Sequence, residues 1–132
     1  MKRYFFLVML ALVLAACASG KTELFPHRGY SADAAEVTVI REKQMFGLGF
    51  SMKVVLDGEV IAHLKAGQYV TFYTEPGVHT IGIPDSSVSA ALETGGKNYF
   101  LIKTDSSQFG FEIERISGGK AQSLIDQSRP LE

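Results

Sequence analysis

Three histidines, two serine pairs, a Gly-Lys step, a pair of glutamates and a single cysteine are the residues whose types could do chemistry. His27, His63 and His79 could hold a metal ion only if they converged, and neither a short ligand spacing nor a cysteine joins them, so they read as surface or sheet-face histidines. Ser86-Ser87 and Ser106-Ser107 lack the Gly-x-Ser-x-Gly setting of an activated nucleophile and sit where turns want small polar residues. Gly119-Lys120 is followed by Ala121 rather than Ser or Thr, and Glu114 stands where a phosphate loop needs glycine. Glu112 and Glu114 fall on one strand face roughly 7 Å apart, a separation that invites a glycosidase comparison. On so small a domain a solvated strand face is the simpler reading. A nucleophile, a base and an orienting group cannot be named together, so no catalytic residue, metal site or cofactor is expected.

Cys17 is different, because its surroundings supply a chemistry for it. Met1-Lys2-Arg3 opens the chain, an apolar run follows from Tyr4 to Leu14, and Leu14-Ala15-Ala16 leads into Cys17. A basic start, a short apolar stretch and small residues before a cleavage point make a secretory signal. With leucine three residues ahead of a cysteine, it resembles a bacterial lipoprotein signal over residues 1–16, cut before Cys17 once the thiol has received a diacylglyceryl group. The apolar run to Ala18 is roughly 15 residues long against the roughly 20 that a spanning helix needs. The resemblance implies a membrane contact made through two or three acyl chains on Cys17, enough for stable anchoring. Ala18 stands where aspartate is the usual signal for inner-membrane retention, which implies the outer membrane.

The elements downstream have to make one modest domain without staples. The formal net charge is −1, and loss of Lys2 and Arg3 with the signal takes it to about −3, with no basic stripe, so nucleic acid is not an expected partner. With Cys17 acylated no thiol is left for a disulfide. Residues 17–34, with Ser19, Gly20, Pro26, Gly29 and Ser31 and no apolar period, read as the lipidated cysteine and a tether; fully stretched it would reach about 55 Å.

From Ala35 the period is two. Val37 and Val39 mark a first strand; Lys53 to Leu56, Asp57-Gly58 and Glu59 to Leu64 make a hairpin around a tight type I′ turn. A second hairpin is expected from Tyr69 to Thr74, the turn Glu75-Pro76-Gly77, and Val78 to Ile83. Ser87 to Glu93 is a weaker strand, Gly95-Gly96 turns into Tyr99 to Ile102, and a last strand runs from Phe109 to Arg115 with Phe109, Phe111 and Ile113 on one face. Gly119 to Gln127 reads as a short helix carrying Ala121, Leu124 and Ile125. The expected fold is all-β and mainly antiparallel, a compact β-sandwich of about seven or eight short strands over 35–127 with a short C-terminal helix, and 128–132 as a tail.

The stretches Ala35 to Arg41, Val55 to Gly58 with Ile61, Glu75 to Ile81 and Gly96 to Ile102 resemble, in order and spacing, small bacterial envelope lipoproteins grouped as domain of unknown function 2846. The resemblance spans most of the folded part and implies fold and compartment. It brings no catalytic or ligand residues, since each matched stretch is a turn signature.

Gln44 to Phe50 joins the first strand to the first hairpin and is rich in large apolar residues broken by glycines. Buried, it is a bulged strand that packs Phe46 or Phe50 into the core. Exposed, Met45, Phe46, Leu48 and Phe50 form a loop able to dock an envelope protein or touch the membrane. The functional expectation is a non-catalytic interaction module of the cell envelope, anchored in the outer membrane and acting through this loop and its sheet edges. A binder of envelope polysaccharide, stacking sugars on Tyr69, Tyr73 and Tyr99, is the alternative, and a small hydrolase the less favoured one.

Overall fold

A computed structural model of the chain describes residues 33–43, 49–107 and 109–131. Cys17 and His27 lie outside the described residues, as do Met45, Phe46 and Leu48. The strands are β1 (Ala35–Arg41), β2 (Met52–Leu56), β3 (Glu59–Leu64), β4 (Gln68–Thr74), β5 (Gly77–Ile83), β6 (Ser86–Leu92), β7 (Lys97–Thr104), β8 (Phe111–Ile116) and β9 (Arg129–Pro130), with helix α1 (Gly118–Ile125) before the last. They form two sheets, β8-β7-β1-β4-β9 and β3-β2-β5-β6. This is the expected all-β, mainly antiparallel sandwich. Its parallel pairs are β1 with β7 and β4 with β9.

Strand parity decides what meets what. Val37 and Val39 of β1, Phe72 of β4 and Phe100 and Ile102 of β7 bury against Val54, Leu64, Ile81 and Ile83 from the facing sheet. The opposite parity is also covered: Ile40 and Leu101 form a second core with Ala121 of α1, and Tyr69, Tyr99, Ile116, Leu124 and Ile125 pack around it. Burial on both faces is why β7 reads as a continuous run from Tyr99 to Ile102 and why Ile40 follows Val39 directly in β1. Helix α1 is started by Ser117, whose side chain accepts a hydrogen bond from the amide of Lys120 at 3.3 Å.

The first hairpin forms as expected. Asp57 and Gly58 have φ of 50° and 83°, the two positive values a type I′ turn requires. A Cβ on Gly58 would meet no atom within 4 Å, so a substitution there acts through the backbone alone. Gly58→Val is expected to cost about 1–3 kcal/mol of stability, read as a lower denaturant midpoint at unchanged slope. An unchanged midpoint would show that this turn tolerates a β-branched residue.

The second hairpin is not one. β4 pairs with β1 and β9, whereas β5 pairs with β2 and β6, so the Glu75-Pro76-Gly77 turn carries the chain from one sheet to the other. Gly77, at φ 123°, takes up the corner. Val70, Phe72 and Thr74 then face Ile81 and Ile83 across the core instead of lying beside them. The hairpin partner of β5 is β6, in register from Gly77↔Leu92 to Ile83↔Ser86.

Two further differences concern the ends of elements. Phe109 does not join Phe111 and Ile113 on the inner face: β8 starts at Phe111, and Phe109 sits in the preceding turn, 83% exposed. The segment read as a tail contributes β9, held by Arg129 N donating to Gly67 O at 2.9 Å and Leu131 N donating to Tyr69 O at 2.8 Å, with Leu131 packed on the core.

Candidate functional site

Arg41 ends β1 with the parity of Val37 and Val39, so its side chain points between the sheets, where it is 1% exposed. Burying a guanidinium is costly unless its donors are satisfied. Here Nη1 donates to Phe50 O at 2.8 Å and to Leu64 O at 2.7 Å. The cation also lies 4.9 Å from the centre of the Phe50 ring and 5.4 Å from that of Phe111, and the two rings meet edge to face at 5.9 Å. Desolvation lowers the pKa of Arg41 from its ordinary value, but a guanidinium starts so high that it stays charged. One buried cation thus ties β1 to the end of β3 and to Phe50, two residues before β2.

Phe50 itself is divided between the two readings of that segment. One side of the ring packs on Arg41 and Phe111, and 45% of the residue is exposed. The turn before β8 lies at the same end. Ser107 N donates to Asp105 Oδ1 at 2.9 Å and Asp105 N to Gly110 O at 3.0 Å, which presents Phe109 outward.

The remaining candidates are placed singly. His63 is exposed near the end of β3. His79 lies at the other end of the sandwich, with Nδ1 2.6 Å from Asp57 Oδ2 and Nε2 2.6 Å from Glu75 O. Both of its ring nitrogens are engaged, so it clamps the β2–β3 turn to the β4–β5 corner. No group of three His, Cys, Asp or Glu side chains that could hold a metal ion occurs among the described residues. Ser86 Oγ accepts a hydrogen bond from Ile113 N at 3.2 Å. Glu112 and Glu114 lie 3.5 and 3.2 Å from Lys103 Nζ, and Glu114 is also 3.5 Å from Lys120 Nζ. The hydrogen bond from Lys103 holds the Glu114 carboxyl below the usual carboxylate range, which suits an ion pair and not a proton donor.

The tyrosines do not form a stacking platform. Tyr69 and Tyr99 pack against the second core, and Tyr73, beyond it, is exposed and donates from Oη to Glu36 Oε1 at 3.1 Å.

Sequence reasoning missed Arg41 and a cleft of about 280 Å³ lined by Ser51, His63, Lys65, Gln68, Arg129, Pro130 and Leu131. The signal for Arg41 was its i, i+2, i+4 relation to Val37 and Val39. The cleft had none, because Arg129 reaches it only through the β4–β9 pairing.

No family model matches the chain, and no curated protein matches it. Among solved structures, the chain is similar to the N-terminal domain of AlgF from P. aeruginosa, with a TM-score of 0.44 and 12% identity, over 64% of this chain and 95% of that one.

Proposed function

We propose that this chain is an envelope lipoprotein, anchored through Cys17 in the outer membrane, whose sandwich is a non-catalytic module that binds another envelope protein through the Met45–Phe50 segment. The observation that carries this reading is Phe50, held in place from below by the Arg41 cation and Phe111 yet 45% exposed. A rigidly held, half-exposed aromatic is the kind of anchor on which binding energy concentrates. Phe109, exposed at the same end, enlarges the apolar surface on offer.

The test is the double variant Phe46→Ser with Leu48→Ser in the full lipidated chain, followed by thermal melting and by crosslinking in intact envelopes. For a docking segment the melting temperature is expected to stay near that of the wild type while the crosslinked species of the wild type disappear. A loss of several kcal/mol of stability would instead make these side chains core, as buried Phe and Leu truncations are. A stable variant that keeps every crosslink would defeat the reading.

A further inference from the structure

The cleft beside Phe50 is a second kind of surface, and its chemistry is uniform. Lys65 and Arg129 bring two permanent cations to it, His63, Gln68 and Ser51 bring further hydrogen-bond donors, and among the described residues no acidic side chain lines it. Among the described residues neither Lys65 nor Arg129 forms an ion pair, in contrast to Lys103 and Lys120, which are spent on Glu112 and Glu114.

The frame that brings these groups together is tied by the backbone. Gln68 closes the turn on Lys65, its Oε1 accepting from Lys65 N at 2.8 Å while its own amide donates to Lys65 O at 3.0 Å. Gly67 N donates to Arg41 O at 3.0 Å, and Gly67 O accepts from Arg129 N at 2.9 Å. The same turn therefore fixes the backbone from which both cations project, at residue 65 and at residue 129, along a sheet edge that the parallel β9 completes.

The geometry points to an oxyanion site: the cleft takes a phosphate group, held between Lys65 and Arg129 with His63, Gln68 and Ser51 donating to its remaining oxygens. Arg129 offers a planar fork suited to two phosphate oxygens and Lys65 a point charge. The volume of about 280 Å³ admits a phosphate with a small substituent. Free phosphate compounds and the headgroup of an anionic phospholipid share this chemistry. Binding here needs neither the acyl anchor nor the Met45–Phe50 segment.

The experiment titrates inorganic phosphate into the isotope-labelled full chain, held in non-ionic detergent at low salt, and follows amide chemical shifts. The expected result is a saturable shift confined to Ser51, His63, Lys65, Gln68 and Arg129, at least about tenfold weaker in the variant Lys65→Gln with Arg129→Gln. A melting temperature unchanged in that variant ties the loss to binding, and Lys97→Gln, away from the cleft, is expected to leave the titration unaltered. In a second arm, vesicles of phosphatidylglycerol and of phosphatidylcholine are compared. Retention by the first alone, lost in the double variant, identifies a lipid headgroup as the source. Shifts spread evenly over the surface lysines, or an unchanged midpoint in the double variant with no vesicle preference, would overturn the site.

Discussion

Arg41→Ala is expected to destabilise the sandwich by about 3–5 kcal/mol, the largest loss for any single polar side chain among the described residues. Two costs add. Removing the side chain leaves a void where a nearly fully buried group stood, and it takes away the donor that satisfies the carbonyls of Phe50 and Leu64. Arg41→Lys keeps the charge and much of the stem, but an ammonium cannot reproduce the flat face that Phe50 and Phe111 pack against, so an intermediate loss is expected. Denaturant melts of the three proteins give the order directly. Arg41→Ala within about 1 kcal/mol of the wild type would mean that the guanidinium is a cost the fold tolerates rather than a tie it depends on.

Cys17→Ser is expected to abolish acylation outright and to stop lipoprotein-type processing, leaving the apolar segment from Tyr4 to Leu14 on the chain. Each methylene of an acyl chain in the bilayer contributes about 0.8 kcal/mol, so two chains hold a protein of this size stably, whereas the serine variant keeps only its uncut signal as a membrane contact. Serine offers a hydroxyl where the transfer needs a thiolate. Metabolic labelling with a palmitate analogue reads the loss of acylation. Persistent label on the serine variant would remove Cys17 as the acylation site.

How much of this was legible in the sequence depended on how local the determinant is. Asp57-Gly58 specifies its own turn, and the two positive φ values are there. Glu75-Pro76-Gly77 also specifies a reversal, but a reversal does not choose a hydrogen-bonding partner. That choice falls to the edges of β4 and β5, which are taken up by β1 and β9 and by β2 and β6. Tyr69 and Tyr99 were plausible sugar platforms until α1, a helix visible in the spacing of Ala121, Leu124 and Ile125, was placed on their face of the sheet.

Arg41 is the instructive miss. A charged residue after an apolar run reads as a strand leaving the core for water. Only its inward parity argued otherwise, and the rings that make burial tolerable come from positions 50 and 111. Arg129 is harder still, since a strand of two residues carries no period, and its pairing with β4 spans half the chain.

The central position of β1 has a mechanical consequence. Ala35, where the chain enters the sheet, and Arg41, beneath Phe50, are the two ends of one strand of seven residues, about 20 Å apart. Tension entering at Ala35 and leaving at the Phe50 end therefore runs along a backbone already close to full extension. On either side the ladders to β4 and β7 lie parallel to the pull. With both loads on one strand its covalent backbone carries the tension, and the rungs to β4 and β7 serve only to hold that strand in its sheet. A domain gripped at these two ends resists being drawn out of shape along the line of β1.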